Sequence, residues 1–547
     1  MVINSRSSVD RRSLRTLPLY VLAAAALASL VHLMPVVVAS LTTPEGWHFT
    51  GIHQSSPDLM QYRQWFRQTQ IDGPIITNTF TAEPNRPHLL VLFAWVVGTI
   101  ASSLGIAPEW VYAYSGVLLA VVFVVLLYRV VEATVPTPSH RPWIFCALFG
   151  GGFGGHLKLL LRFEPIRALP GVRASVYEPL TQWLLFEDYR GHFVFTSFYD
   201  SHFLLHWSLA CASVLALLRQ LQRPSTPRLA VVTALFALTT AVHVYTGITL
   251  VAVALGVALT CHIQKVAAPA ARTACAAAVI AATVTVGVVA LLLSGAGVPM
   301  STWRAPLMLP SIIFISYPLA LGFFFVGLPR LVQAPSLEEC VLMGWAFGCL
   351  MVALSGPFYA YPDRGILSLQ VPITILAGLV FFRDGRRPTI LATAVALSVM
   401  AVTPAWSVAR IAGTAAFNPE QPAKFQNDSH RRIIDAVRRS ATRDSLLLAD
   451  EPSLLWLAPE YPGRHYCGHF FLTVDYDRKQ EDVARFYGTE SPEARASFLR
   501  AHAVSLLFVP ARLKPQSFDT IKELAVVEST DAGTLFSFGL PKTGTVP

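Results

Sequence analysis

Charge is scarce in this sequence. Only 14% of its 547 residues are Asp, Glu, Lys or Arg, whereas 53% are hydrophobic, and the mean hydropathy is +0.50. Soluble globular domains carry about 25% charged residues, so this composition excludes an ordinary soluble protein. The sequence therefore predicts an α-helical polytopic membrane protein.

Paired cysteines are also missing. Six of the seven cysteines lie in or beside apolar runs, and they form no CxxC pair. This distribution predicts neither a disulfide framework nor a cysteine-based metal site. The formal net charge is +9, but the arginines lie in short clusters between apolar runs. In such places arginines set topology and meet anionic lipid headgroups, so membrane lipids are implied as partners and nucleic acid is not.

Apolar runs that are long enough to cross a membrane recur along most of the chain. The first follows four arginines, which places the N-terminus in the cytoplasm. A run at 143–161 is interrupted by five glycines and is predicted to be re-entrant or to pair with a hidden crossing. We predict about 11–13 spans, of which these are distinct: 17–41, 88–106, 109–131, 202–218, 228–243, 245–262, 272–294, 306–328, 338–356, 366–382 and 388–406.

The composition changes at about residue 418. Residues 1–417 form the predicted membrane domain, which includes a long first outer loop at 42–87. Residues 418–547 have the composition of a soluble α/β domain without a Gly-rich phosphate loop or a nucleophile elbow. One span follows the basic cluster at 383–387, so we expect this domain to be extracytoplasmic. Hydrophobic periodicity predicts helices at 428–439, 476–486 and 491–501, and strands at 445–449 and 504–509.

The first outer loop is too long and too rich in Trp, His and charge to be a simple connector. Pro57 is placed to open a helix, and Tyr62, Trp65 and Phe66 recur at helical spacing. The segment therefore predicts an amphipathic helix on the membrane surface. Asp58 lies in its first turn, where it either caps the helix and complements the helix dipole or acts as a base.

Two segments of this loop resemble the GT-C superfamily of membrane glycosyltransferases. The run from Asp58 to Trp65 resembles an Asp-x-x-x-Tyr stretch of bacterial members. The run from Thr81 to His88 resembles the segment that leads into their second span, where His-Pro-Pro is common, although this chain has Pro87-His88 instead.

The C-terminal region carries a third resemblance to the same group. Gly463 to His469, followed by Asp475 and Lys479, is similar to the outer domain of these bacterial proteins. The order of one span, a long outer loop, many further spans and an outer domain is also GT-C-like, as in mannosyltransferases and arabinosyltransferases.

The resemblance implies transfer of a sugar from a polyprenyl-phosphate-linked donor to a lipid, glycan or protein acceptor, at the outer face of the cell inner (plasma) membrane. One carboxylate that takes the acceptor's proton suffices for an inverting displacement, because the phosphate leaves without protonation. Asp58 and Glu83 are the two candidates for this base, and the alternative for Glu83 is a solvated loop carboxylate.

Several residues at the outer interface are candidates for binding the donor phosphate or the substrate. For Arg364 the alternative is a snorkelling anchor or a salt bridge to Asp363, and for His243 it is a ring that satisfies a kinked backbone. The full set is Arg364, Tyr62, His88, Arg304 and His243.

Asp200, His202 and His206 lie at the outer end of a predicted span. The two histidines are four residues apart, so they face the same way on a helix. Together with Asp200 they could bind a divalent metal, which is the one cofactor that the sequence suggests. The alternative is a pair of interfacial histidines that hydrogen-bond to neighbouring helices.

Two other functions remain open. A transporter or flippase of lipid-linked cell-envelope intermediates predicts internal repeats and charged residues midway through the spans. A scaffold whose outer domain does its work needs only short connectors. The sequence shows no clear internal repeat, its ionisable residues cluster at outer ends and in outer loops, and its first loop is long. These observations favour the glycosyltransferase.

Overall fold

A computed structural model describes residues 17–54, 56–151, 156, 197–266, 268–294, 317–333, 335–355, 363–383, 390–488 and 491–539. Long apolar helices dominate the part before residue 416. In chain order the described helices there are α1 Leu19–Thr42, α2 Pro57–Asp72, α3 Leu92–Leu104, α4 Pro108–Thr134, α5 Arg141–Ala147, α6 Ser201–Gln222, α7 Thr226–Val242, α8 Val244–Ile263, α9 Ala268–Ser294, α10 Pro318–Gln333, α11 Leu337–Leu354, α12 Asp363–Phe382 and α13 Ile390–Ala415.

The described helices confirm a polytopic membrane architecture. Within the described residues, six helices are long and apolar enough to cross a membrane, namely α1, α4, α6, α8, α11 and the 269–291 part of α9. Shorter apolar helices lie at 92–104, 226–242, 320–329 and 368–382. Each of the eleven distinct predicted spans overlaps a helix, although parts of the 306–328 and 388–406 runs lie outside the described residues.

Glycine brings α8 and α11 into backbone contact. A Cβ atom added to Gly348 of α11 would lie 2.5 Å from the backbone of Ala252 in α8, and Gly256 and Gly344 face each other as closely. Gly344 and Gly348 form a GxxxG pattern, which lets helix backbones approach in an apolar medium where packing drives association. These two helices therefore form a tightly packed pair.

The C-terminal region is a mixed α/β domain, as predicted. Its five-stranded sheet has the order β6-β5-β7-β9-β8. Strands β6 and β7 are parallel to β5, and strands β7 and β8 are antiparallel to β9. The elements are β4 Phe425–Asn427, α14 Asp428–Ser440, β5 Leu446–Leu448, α15 Glu451–Leu457, β6 Arg464–His465, α16 Tyr476–Gly488, α17 Pro492–Ala501, β7 Leu506–Pro510, β8 Leu524–Thr530 and β9 Gly533–Phe538.

The sheet is covered on both faces. Alternate residues of β5 and β7 enter two different cores, because side chains of a strand point to opposite faces. One core receives Ile433 of α14, and the other receives Phe486 of α16. The first core also contains Met60 of α2 and Phe80, which are residues of the first outer loop.

The first outer loop is built into this C-terminal domain. Its short strand β1, Trp47–Phe49, pairs antiparallel with β4. Further along, Thr81 forms a bridge with Cys467, and the backbone N–H of His465 donates to the carbonyl of Thr79 at 2.8 Å. A second small hairpin, β2 Ile75–Ile76 with β3 Leu89–Leu90, leads the loop into α3. The loop and the domain therefore form one packed unit above the helices.

Helix α2 exists as predicted, but its surroundings differ from the prediction of a membrane-surface helix. Its buried side chains include Arg63 and Gln64 as well as Leu59 and Phe66. A Cβ atom on Gly98 of α3 would lie 2.6 Å from the carbonyl of Phe66, so α2 and α3 touch through their backbones. Helix α2 is therefore packed between other parts of the protein, where its arginines pair with buried carboxylates.

Candidate functional site

The start of α2 presents a carboxylate at the surface. Ser56 caps the helix by accepting a hydrogen bond from the backbone N–H of Leu59 at 3.3 Å, and Pro57 occupies the first helical turn. Because Ser56 is the cap, Asp58 is left as a first-turn charge that complements the helix dipole. Its side chain is 63% exposed. Asp58 is thus accessible to a reactant.

Asp58 is paired with a histidine of the C-terminal domain. The Nε2 atom of His469 lies 3.2 Å from Oδ1 of Asp58, and the His469 side chain is only 3% exposed. His469 follows β6 in a tight loop in which its carbonyl accepts from the N–H groups of Leu472 and Thr473. The sequence indicated a resemblance in this segment but gave His469 no role.

Tyr62 lies one helical turn after Asp58 and therefore faces the same side of α2. Its hydroxyl is 2.7 Å from Nδ1 of His202, and the two rings are 4.9 Å apart between centroids. His202 belongs to the first turn of α6, whose cap is Asp200. The structure thus connects α2 to the N-terminal end of α6 through a candidate substrate-binding residue.

Three imidazole rings cluster next to Tyr62. The ring of His202 is 5.3 Å from those of both His206 and His243, and the latter two stack at 4.1 Å. The hydroxyl of Thr246 lies 2.7 Å from Nδ1 of His243 and 2.9 Å from Nδ1 of His206. His243 stands at the break between α7 and α8, and its side chain caps α8 by accepting from the N–H of Thr246. We call His202, His206 and His243 the imidazole cluster.

Aromatic rings connect the imidazole cluster to the C-terminal domain. Tyr245, two residues after His243, contacts Phe471 with ring centroids 6.1 Å apart, and Phe471 is two residues after His469. Tyr62, Tyr245, Phe470 and Phe471 are all half-buried. The N-terminal ends of α6 and α8, helix α2 and the His469 loop thus lie next to one another, with an exposed carboxylate and half-buried rings among them.

Glu83, the other candidate base, is bound in an ion pair. Both of its carboxylate oxygens accept hydrogen bonds from Nζ of Lys479, at 2.6 and 2.8 Å, and Oγ1 of Thr81 donates to one of them. Burial alone would raise the pKa of Glu83, but the hydrogen bonds from Lys479 and Thr81 outweigh it and hold this pKa below its usual value. The Lys479 side chain is 2% exposed. Glu83 therefore joins the loop to the domain and is a weaker candidate for a free base.

A buried ionic network fixes α2 from its other side. Arg63 and Arg67 approach Oε1 of Glu109, in the first turn of α4, at 3.0 and 2.6 Å. They also approach Oε1 of Glu460, in the C-terminal domain, at 3.6 and 2.8 Å. Both carboxylate side chains are at most 5% exposed. We call Arg63, Arg67, Glu109 and Glu460 the α2 clamp. In the sequence, the one sign of this clamp is that Arg63 and Arg67 are four residues apart and so share a helix face.

The structure does not assemble the metal site suggested at Asp200, His202 and His206. Oδ1 of Asp200 accepts from the N–H groups of His202 and Phe203 and from the hydroxyl of Tyr112 at 2.7 Å, so it is engaged as a helix cap. Among the described residues, no group of three or more His, Cys, Asp or Glu side chains has an arrangement that could hold a metal ion. The geometry therefore supports the alternative of interfacial histidines.

The remaining predicted site residues are distributed as follows. Nδ1 of His88 lies 2.7 Å from the carbonyl of Arg86 within its own loop, and the structure gives it no contact with Asp58 among the residues described. Arg364 lies in the first turn of α12, but its side chain is not part of the described structure. Arg304 lies outside the described residues.

This arrangement of membrane helices, a built-in outer loop and an outer α/β domain is the GT-C fold of membrane glycosyltransferases. Among solved structures the chain resembles the arabinofuranosyltransferase AftD from Mycobacteria, with a TM-score of 0.55 and 15% identity over 96% of this chain and 42% of AftD. It also resembles ArnT from Cupriavidus metallidurans bound to undecaprenyl phosphate, with a TM-score of 0.51 and 14% identity over 96% of this chain and 99% of ArnT. Neither protein-family models nor the curated proteins give a match to this sequence.

Proposed function

We propose that this chain is a membrane glycosyltransferase that moves a sugar from a polyprenyl-phosphate-linked donor to an acceptor at the outer face of the plasma membrane. The observation that carries the proposal is the position of Asp58. An exposed carboxylate lies where membrane helices, the first outer loop and the outer domain meet, in a chain with the GT-C fold. A lipid-linked sugar that enters from the membrane and a water-soluble or lipid acceptor from outside would meet at such a junction.

The donor side of the site is assigned to the membrane helices. The lipid tail of a polyprenyl phosphate needs an apolar path between helices, and its phosphate needs hydrogen-bond donors at the interface. Tyr62 of α2 provides a hydroxyl, and the imidazole cluster provides ring nitrogens at the ends of α6 and α8. Arg364, at the start of α12, is the proposed charged partner of the phosphate. The structural neighbour ArnT was solved with undecaprenyl phosphate, which is a lipid phosphate of this class.

The proposed reaction is a single displacement with inversion. The carboxylate of Asp58 takes the proton of the acceptor hydroxyl, and the hydroxyl oxygen attacks the anomeric carbon of the sugar. The bond between that carbon and the donor phosphate breaks, and the electron pair leaves with the polyprenyl phosphate. Half-buried rings such as Tyr62, Tyr245 and Phe471 provide apolar faces against which a sugar ring can pack.

The substitution Asp58→Asn tests the proposed base. Asparagine keeps the shape of the side chain but cannot accept the proton, so transfer should fall by a factor on the order of 10² to 10⁴, which is the usual contribution of general-base catalysis. The measurement is sugar transfer by purified protein in lipid against a panel of polyprenyl-phosphate sugars.

Asp428→Asn is the matched control, because Asp428 is also an exposed first-turn carboxylate, in α14, and should tolerate the change without loss of rate. Parental transfer by a folded Asp58→Asn protein would remove Asp58 from the mechanism and turn attention to Glu83, whose Gln variant is then compared. If the parent moves lipid-linked sugars across vesicles and transfers none of them, the flippase alternative is favoured.

A further inference from the structure

His469 meets the candidate base from the outer domain in a fixed orientation. Its ring stacks on Phe470 with centroids 4.4 Å apart and meets Phe80 of the first outer loop at 6.0 Å. The side chain is 3% exposed, whereas its partner Asp58 is 63% exposed. A buried imidazole thus holds an exposed carboxylate.

The backbone determines which ring nitrogen of His469 carries the proton. The N–H of Phe471 lies 3.2 Å from Nδ1 of His469, and an amide N–H can only donate, so Nδ1 is an acceptor there. A neutral imidazole has a single N–H, which is then on Nε2. Nε2 is the atom that lies 3.2 Å from Oδ1 of Asp58. The imidazole therefore donates its proton to the carboxylate.

We infer that His469 is a positioning residue that keeps the Asp58 carboxylate ionised and oriented for proton abstraction, by donating to Oδ1 from a neutral ring. This inference rests on the proposed function of Asp58. It also assigns the proton-accepting step to the carboxylate, because the one basic nitrogen of the neutral ring is engaged by the backbone of Phe471. The outer domain would thereby contribute directly to the catalytic centre in the membrane domain.

Loss of the His469 donor should shift the pH dependence of the transfer rate in one direction. A hydrogen bond to the charged form of a carboxylate favours that form, so loss of the donor raises the pKa of the base and moves the acid limb of the rate to higher pH. Other titratable groups of this region are Tyr62 on α2, the imidazole cluster on α6 and the α7–α8 break, and Tyr245 on α8. They stay unchanged when only His469 is substituted, so a difference between two pH profiles isolates the pair.

The nearby charged and imidazole groups of the domain are also the same in both proteins. Burial lowers the pKa of His465 to about 3, so this ring is neutral at neutral and mildly acidic pH. Lys479 and Glu83 form their own ion pair on the domain side.

Two amide substitutions at position 469 separate the two contacts of the ring. Asparagine can place its carbonyl oxygen near the position of Nδ1 and keep the contact with the N–H of Phe471, but it is too short to reach Asp58. Glutamine can place its amide nitrogen near the position of Nε2 and keep the donor to Asp58. We expect His469→Asn to lose kcat by about tenfold with an acid limb shifted upward by about one pH unit, and His469→Gln to restore both.

The outcomes separate the inference from the proposed function. If Asp58→Asn abolishes transfer but His469→Asn keeps the parental kcat and acid limb, the inference is wrong and the proposed base stands. If Asp58→Asn transfers sugar like the parent, the proposed base and the inference both fail. Equal losses in His469→Asn and His469→Gln, with an unshifted acid limb, would show a merely structural role and overturn the inference.

A second measurement needs no variant at position 469. Nitrogen-15 NMR of histidine-labelled protein in lipid reports which ring nitrogen is protonated, and the His469 signals are those that respond to Asp58→Asn. A protonated Nε2 with an unprotonated Nδ1 is expected near neutral pH. A proton on Nδ1 would contradict the inference.

Discussion

Asp58 and Glu83 are both carboxylates of the first outer loop, and their contacts separate them. Glu83 receives two hydrogen bonds from a buried lysine, so removing its charge would leave Lys479 buried without its ion-pair partner. Asp58 is exposed and receives a donor from a histidine. A base must take up a proton in each turnover and release it again. That cycle is compatible with Asp58 and costly for Glu83.

Arg364 provides a residue-level prediction for the donor. A guanidinium group contacts two phosphate oxygens at once, whereas an ammonium group acts as a point charge. We therefore expect Arg364→Lys to raise the KM for the lipid-linked donor severalfold and Arg364→Ala to raise it further, with the protein still folded. Steady-state kinetics with varied donor concentration measure this effect. Arg383→Lys, just beyond the other end of α12, is the control. Parental KM values in both Arg364 variants would favour the snorkelling anchor.

Local sequence patterns predicted single residues and helices better than they predicted the partners of those residues. Pro57 and the spacing of Tyr62, Trp65 and Phe66 indicated α2, because helix start signals and periodicity are local. The pair of Asp58 and His469 joins positions 411 residues apart in the chain, and no local pattern contains that information. The sequence therefore identified a candidate base but not the group that orients it.

At the scale of elements, the α2 clamp explains why protein packs around α2. Arg63, which is buried, and Arg67, which is 26% exposed, pair with two buried carboxylates, one from α4 and one from the C-terminal domain. Such charges are stable in the interior only while each has its partners, because an unpaired buried charge is costly. The clamp thus fixes the angle at which α2 presents Asp58 and Tyr62.

Substitution of one carboxylate of the α2 clamp should lower the free energy of unfolding. Glu460 contacts Arg63, Arg67 and Arg438 and is 5% exposed, so Glu460→Gln leaves Arg63 and Arg67 to share the single carboxylate of Glu109. We expect a loss in the free energy of unfolding of about 3–5 kcal/mol. Glu528→Gln is the control, because its partner Arg432 is 63% exposed and such surface pairs contribute about 0–1 kcal/mol. Thermal unfolding of both variants in lipid is the measurement, and equal midpoints would contradict a stabilising clamp.

Strand pairs show the same limit of sequence interpretation. Strands β5 and β7 were predicted because they lie in apolar runs, whereas the three-residue strands β1 and β4 have no distinctive sequence pattern. Their pairing depends on the register Trp47 to Asn427, which only the folded chain defines. The predicted division at residue 418 followed composition, and the structure adds the first outer loop to the C-terminal unit through these contacts.

At the scale of the whole molecule, the outer loop and the C-terminal domain must lie on the same side of the membrane, because they share a core. From the positive-inside rule we propose that this side is outside the cell. We therefore expect a cysteine at the exposed position Glu481 of α16 to react with an impermeant thiol reagent in intact cells, above the level of the parent. Labelling that requires cell lysis would contradict the proposed orientation and the outer-face reaction together.

The bond between the beginning and the end of the chain also has a consequence for biosynthesis. Thr50 donates to the carbonyl of Ala423, and Asp58 meets His469, so the first loop acquires its partners only after the ribosome has delivered the last spans and the outer domain. Until then the loop lacks its partner strand β4, the core that it shares with the domain, and His469. Contacts of such long sequence separation form late and slowly. An interrupted translation product would thus carry Asp58 without His469, and the proposed transfer would begin only once the C-terminal domain has folded against the loop.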